Sequence, residues 1–216
     1  MRTIKRKPKT TLIIISVLFA SSILAFLGYH YGIKAETPYK MFTYTLDGQS
    51  YEGTYADFLV NAMQWLRDET PLDATVLCWW DYGHMVRGVA ERRTVVYLPS
   101  EEIRHSIADP TGITCYHDHS LIIDVCEALL TDDPLSCIEF MDKHNATYLL
   151  VVSVDLAKMR WMASFLDIVP SLMLTDGEAT EAGKETLIYQ ALNKETLTGF
   201  EKVYLDDVSV VYKIHR

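Results

Sequence analysis

Trp79-Trp80-Asp81-Tyr82-Gly83 is the stretch of this chain whose residue types and spacing best suit chemistry. By residue frequencies the pentapeptide is expected in a chain of this length roughly once in 10⁵ sequences, so it is specific as motifs go. Two indoles make a flat apolar wall carrying two N–H donors, and the Asp81 carboxylate adds an acceptor. A wall of that kind suits a small group with one hydroxyl and one methyl, and Trp and Asp together can hydrogen-bond a Ser or Thr side chain. A site built to bond a hydroxyl rejects the analogue lacking it, because its own polar groups are then left unpaired. The plainer alternative makes Trp79 or Trp80 core and Asp81 the cap of the next helix.

A second run, Asp155-Leu156-Ala157-Lys158-Met159-Arg160-Trp161-Met162, follows a strand-like stretch at 148–154 and begins a helix expected to end near Pro170. On that helix Lys158 and Met162 are i and i+4 and so face the same way, with Asp155 one turn earlier on the same face. Asp155 also suits a helix N-cap. Taken alone this run is weak, since a chance match is expected in about one sequence in ten of this length.

In this order, 74 positions apart counted from Asp81 to Asp155, the two runs resemble the Trp-Trp-Asp-Tyr-Gly and Asp-x-x-Lys-x-x-x-Met/Ile motifs of the oligosaccharyltransferase catalytic subunit, archaeal and eukaryotic type. The resemblance covers residues 36–216 and is to that family's C-terminal extracytoplasmic domain only. It implies a part in N-glycosylation, the transfer of a lipid-linked oligosaccharide to the Asn of Asn-x-Ser/Thr. It further implies that Trp79, Trp80 and Asp81 line the pocket for the Ser or Thr two residues after the acceptor Asn, supported by Tyr82 and Gly83. Met162 would touch the Thr methyl, and Asp155 and Lys158 would complete or brace the pocket. Enzymes of the family precede this domain with a multi-helix membrane region whose acidic residues hold a divalent metal, Mn or Mg, and which binds the lipid carrier. No such acids are found in residues 1–53, so the expectation is no catalytic residue and no cofactor in this chain, and no transfer by it alone. Two readings follow: an acceptor-sequon recognition domain that joins a multi-spanning membrane subunit, or a non-enzymatic membrane-anchored module for peptide binding or assembly.

The elements that must position these residues read as a mixed α/β domain. Residues 74–78 form a short β-branched apolar run, a buried strand with the motif at its C-terminal end, where open α/β sheets bind ligands. A short helix at 84–91 and a strand at 93–98 complete a strand-helix-strand unit, with His84 and Arg87 near the motif's mouth. Helical spacing marks 54–67, 121–130 and 134–143, the last with Pro134 suited to a first turn. A linker or edge hairpin turning at Asp47-Gly48 precedes them. After a Gly/Glu/Thr-rich loop at 176–185 and an apolar run at 187–192, residues 203–205 and 208–214 read as a C-terminal β-hairpin about Asp206-Asp207. The fold expected is a central sheet flanked by helices.

Residues 1–10 form a basic tail with Arg2, Lys5, Arg6, Lys7 and Lys9, and 11–33 are uncharged enough and long enough to span a bilayer of ~30 Å as a helix. Tyr29 and Tyr31 suit the far interface, and the basic end stays cytoplasmic. The organisation expected is a single-pass anchor, a linker at 34–53 and an extracytoplasmic globular domain at 54–216. The chain carries −9, and because five positive charges fall in the first nine residues, the remainder carries −14. A surface so acidic argues against nucleic acid or anionic lipid as partner.

Of the four cysteines, Cys78 belongs to the buried strand, Cys115 lies in the polar middle of the chain, and Cys126 and Cys137, on successive helices, are the pair expected if a disulfide forms. His105, Cys115, His117 and His119, with Asp109, are donors that a transition metal accepts, but their spacing matches no structural zinc pattern and a polar loop explains them more simply. Asn145-Ala146-Thr147 is itself an acceptor sequon, yet it stands where a helix meets a strand, so Asn145 is read as a C-cap residue.

Overall fold

Two parallel strands, β3 (Thr75–Leu77) and β5 (Tyr148–Val152), organise the domain in the computed structural model, which describes residues 39–46, 49–106 and 115–215. Both are buried along their whole length, as a continuous apolar run requires when both faces of a sheet are covered. Val76 registers with Tyr148 and Leu77 with Leu149, so the two strands end at one edge of the sheet. On the other side of β3 lies β4 (Arg93–Thr94), also parallel. The sheet is completed by the antiparallel hairpin β8 (Phe200–Leu205) and β9 (Ser209–Ile214), giving the order β4-β3-β5-β9-β8. The expected C-terminal hairpin is therefore present, with Asp206 accepting from the backbone N–H groups of Val208 and Ser209 in its turn.

Helices cover this sheet. α1 (Val60–Glu69) buries Ala62, Met63 and Leu66, and α2 (Trp80–Gly88) follows β3 directly. α3 (Glu101–Ser106) is short. In α4 (His119–Leu130), Ile122, Val125, Cys126, Ala128 and Leu129 make the inward stripe, and the Asp118 side chain caps its start by accepting the Ser120 N–H. α5 (Pro134–Lys143) starts with Asp133 accepting the Leu135 N–H and Pro134 in its first turn. It ends as expected, because Asn145 takes up a left-handed φ of 53° just past the C-cap His144. α6 (Asp155–Phe165) follows β5 and packs on α4. α7 (Glu181–Glu185) and α8 (Leu187–Asn193) precede the hairpin.

Some boundaries differ from the expectation. The helix after the motif begins at Trp80 rather than His84, so the motif is the first turn of α2 and not the loop before it. The strand after α2 is shorter than 93–98: the Val95 N–H still bonds the Val76 carbonyl, and residues 96–97 then pass against α2 at Gly83. Thr54 to Ala56 belong to a strand, because two eight-residue strands, β1 (Tyr39–Leu46) and β2 (Gln49–Ala56), make a separate two-stranded sheet around residues 47–48. α6 stops at Phe165, short of Pro170, where a separate 3-10 turn begins. Residues 174–175 (β6) and 178–179 (β7) pair as a small hairpin in what reads as loop. The basic tail at 1–10, the membrane helix at 11–33 and, of the linker, residues 34–38 and the expected turn at 47–48 lie outside the described residues; among the described residues no helix is long and apolar enough to cross a membrane.

Two close fits hold the site's strand and helix in place. A Cβ on Gly83 would stand 2.1 Å from Val96 O and 2.4 Å from Tyr97 Cα, so only glycine lets residues 96–97 cross α2 at this point. Arg92, 4% exposed, donates to the carbonyls of Arg67, Thr70, Ala90 and Glu91 and to Thr70 Oγ1, closing the C-terminal ends of α1 and α2 onto the start of β4. Gly83→Ala is expected to lower stability by about 3 kcal/mol, a cost read by urea unfolding, despite alanine's better helix propensity. Arg92→Met is expected to cost about 3 kcal/mol by the same measurement, since four carbonyls lose a buried donor.

Candidate functional site

Because β3 and β5 are neighbours and parallel, their C-terminal ends point to the same edge of the sheet, and the residues that leave them meet. Trp79 is the N-cap of α2 in an extended conformation, and Asp81 falls in the first turn, where a carboxylate is favoured by the helix dipole. Asp155 opens α6 just beyond β5. The two runs, far apart in sequence, are joined by one hydrogen-bonded chain. Lys158 Nζ donates to Asp81 Oδ2 at 2.6 Å and to the Tyr82 hydroxyl at 2.9 Å. Tyr82 in turn donates to Asp155 Oδ1 at 2.7 Å, and Asp155 Oδ2 accepts the Val152 N–H at 2.9 Å. The ammonium also sits 4.3 Å from the centre of the Tyr82 ring.

Asp155 is only 2% exposed, and this burial lifts its pKa to about 6, against the pull of the Val152 N–H, the Tyr82 hydroxyl and the Lys158 charge. Burial, with the Asp155 charge beside it, drives the Tyr82 phenol far above its ordinary range, so it stays a donor at any physiological pH. Cys78, at the end of the strand, is pushed up to about 12 by burial and is no nucleophile.

The indoles divide in role. Trp79 is 4% exposed and stacks on Phe165 at 6.3 Å between ring centres, a core position that matches the plainer sequence reading. Trp80 lies 5.9 Å from Trp79, is half-buried, and its Nε1 is shut from water with no hydrogen-bond partner. Met162 is fully buried, whereas the Lys158 side chain keeps 20% of its surface exposed, so the two do not form one exposed face. A methyl arriving from solvent does not meet Met162 in this conformation. Asp155 caps no helix with its side chain; it faces Tyr82 and the Val152 N–H instead. The role of Tyr82 as the link between the runs is not visible in sequence spacing, although a buried tyrosine hydroxyl always needs a partner.

His84 and Arg87 follow on α2, and His117 lies beside Tyr97. His119 Nδ1 is 2.7 Å from Ser100 Oγ, while His105 faces Glu101 at 3.8 Å. Cys115 is exposed. Among the described residues no group of three or more such donors converges as a metal site. The expected Cys126–Cys137 disulfide is not formed: both are free, each turned into the core from its own helix, and burial raises both thiols to about 12.

In fold this mixed α/β domain is similar to the C-terminal globular domain of an oligosaccharyltransferase. Its counterpart from Archaeoglobus fulgidus superposes with a TM-score of 0.53 at 16% identity, covering 72% of this chain and 95% of that one. An Archaeoglobus fulgidus oligosaccharyltransferase solved with an inhibitory peptide and a dolichol-phosphate gives 0.50 at 13%, over 71% of this chain and 23% of that one. In sequence the chain is a relative of the dolichyl-diphosphooligosaccharide–protein glycosyltransferase subunit stt3 of Schizosaccharomyces pombe, 28% identical over 200 residues, which is 81% of this chain and 24% of the relative. No protein-family model matches it. The chain therefore spans about a quarter of the length of that relative.

The raised Asp155 pKa sets a pH signature. The folded state holds this proton up to about pH 6 while the unfolded chain releases it near 3.8, so the acid contributes stability below that lower value and loses it as pH rises through about 6. The stability difference between the wild-type chain and Asp155→Asn, measured by thermal melts, is expected to shrink from pH 4 to pH 6.5. Parallel profiles would show that Asp155 does not titrate in this window.

Proposed function

We propose that this chain is an acceptor-sequon recognition domain acting in protein N-glycosylation, with Trp80 and Asp81 receiving the Ser or Thr hydroxyl of an Asn-x-Ser/Thr polypeptide. The observation that carries this reading is the pairing of an unpartnered donor with an unpartnered acceptor on adjacent residues. Trp80 Nε1 has no acceptor among the described residues and is enclosed, so a hydroxyl reaches it only when the indole turns outward. Asp81 gives only Oδ2 to Lys158, which leaves Oδ1 for a ligand, and its side chain is 33% exposed. A hydroxyl accepts from the first and donates to the second, and an aliphatic side chain does neither.

Lys158 orients Asp81 through its 2.6 Å contact, and the Tyr82 hydroxyl, which accepts from Lys158 and donates to Asp155, holds Lys158 in place. Trp79 serves as packing behind Trp80. Met162, fully buried, is given no contact with the Thr methyl in this reading. The similarity to glycosyltransferase subunits, one relative structure of which was solved with a peptide, supports the process assigned.

Transfer chemistry is assigned to a multi-spanning membrane subunit that supplies the divalent Mn or Mg ion. The two site carboxylates of this chain do not fit a metal, because Asp81 is paired with Lys158 and Asp155 is enclosed by Tyr82 and the Val152 N–H. In this reading residues 11–33 anchor the domain in the membrane, N-terminus in the cytoplasm, with the site on the extracytoplasmic side.

The test is an NMR titration of the full chain with an Asn-x-Thr peptide and its Asn-x-Ala counterpart, following the Trp80 indole N–H. Binding on the order of millimolar is expected for the Thr peptide, since one hydroxyl and one methyl are the anchors. The Ala peptide is expected to give no shift, and Asp81→Ala to abolish the response. Equal shifts with both peptides would remove the hydroxyl pocket and leave a non-enzymatic assembly module as the better account.

A further inference from the structure

Along α2, one to two turns beyond Asp81, lies a group of side chains that the sequon reading leaves unused. The Arg87 guanidinium stacks on Tyr97 at 3.9 Å from the ring centre. His84 stands edge-on to the same ring at 5.9 Å and 81°, and His117 at 4.7 Å and 87°. His117 Nε2 accepts the Tyr97 backbone N–H at 3.1 Å, so its ring proton is on Nδ1 when the imidazole is neutral.

The rest of their hydrogen-bonding capacity is without a protein partner. Among the described residues, no carboxylate or carbonyl takes the Arg87 guanidinium, either ring nitrogen of His84, His117 Nδ1 or the Tyr97 hydroxyl. The neighbouring acids are engaged elsewhere: Asp81 with Lys158, and Asp118 with the N–H and hydroxyl of Ser120. Both imidazoles are held below their ordinary pKa, by withdrawal from water first and then by the Arg87 charge, with His117 adding to the effect on His84. In a chain carrying −9, the Arg87 charge thus stands beside three neutral donors with no carboxylate paired to it among the described residues.

We infer that Arg87, His84, His117 and the Tyr97 hydroxyl form a binding site for a phosphate group, free or as an ester. Arg donates in a fork that suits oxyanions, and imidazole and phenol add single donors. Because both imidazole rings stand nearly perpendicular to the tyrosine ring on whose face the guanidinium lies, the donors are not coplanar. That arrangement serves a tetrahedral anion better than a planar carboxylate. The inference is independent of the hydroxyl pocket at Trp80.

The test follows the phosphorus-31 line width of inorganic phosphate with the full chain at constant ionic strength, with acetate as competitor. Saturable broadening in the millimolar range is expected, with acetate competing at least tenfold more weakly. Arg87→Gln should weaken binding at least tenfold, and Arg87→Lys, which keeps the charge and loses the fork, by less. Lys184→Gln, an exposed cation already paired with Glu181, should change nothing. Glycerol phosphate supplies the second arm: affinity equal to that of inorganic phosphate assigns the ligand as the phosphate group alone, and tighter binding assigns it as an ester. Broadening that survives Arg87→Gln in a variant with an unchanged circular dichroism spectrum, or that acetate reverses as readily as phosphate does, overturns the inference.

Discussion

A carboxylate shut away from water has to be held by donors, and the site of this protein is arranged around that requirement at Asp155. Burial alone would favour the neutral acid. The Val152 N–H at the end of β5 and the Tyr82 hydroxyl from α2 bind its two oxygens, and Lys158, one turn along α6, brings a positive charge near. The first and last of these are local to Asp155, but Tyr82, 73 positions away, is brought to it only because β3 and β5 pair in parallel. The network therefore couples the topology of the sheet to the orientation of Asp81, which is the last member of the chain and the only one of its carboxylates with substantial exposure.

The same coupling explains the composition of the first run better than a list of contacts. Trp79 packs, Trp80 is half-buried with its polar edge unpaired, Asp81 is oriented by Lys158, Tyr82 bridges to α6, and Gly83 admits residues 96–97 against the helix. Each position answers a different physical demand, so the five residues cannot be permuted. Gly83 shows this most directly, since the atom that forbids a side chain there is a backbone oxygen and cannot move as a rotamer would.

How much of this was legible in the sequence depends on the range of the interaction. Local signals were read well: the apolar run of β5, the start of α5 at Pro134, and Asn145 as a helix-terminating residue all rest on neighbours within a few positions. The meeting of the two runs was available only through resemblance, because no periodicity links Asp81 to Lys158. The start of α2 was placed four residues late, since two tryptophans and an aspartate carry little helix signal and the first turn is fixed instead by what Trp80 and Tyr82 touch. Spacing of four on a helix sets the direction of Met162 relative to Lys158 and says nothing of its depth, and in the fold Met162 is fully buried in a helix that packs on α4. Cys126 and Cys137 were likewise paired by their place on successive helices, while in the fold each is taken up by its own helix's inward face.

Recognition of a hydroxyl and transfer of a sugar make different demands on a protein, and the function proposed for this domain is the first. Discriminating a hydroxyl needs a donor and an acceptor held rigidly with no other partner, which strand ends and helix starts provide at small cost in ordering. Transfer needs charges placed where the reacting groups develop their own, and both carboxylates at the site are already committed to internal donors. Freeing either for chemistry would uncouple α2 from α6 and lose the orientation of Asp81. A site braced in this way fits the proposed role, in which the domain holds a peptide still and groups outside it carry out the reaction.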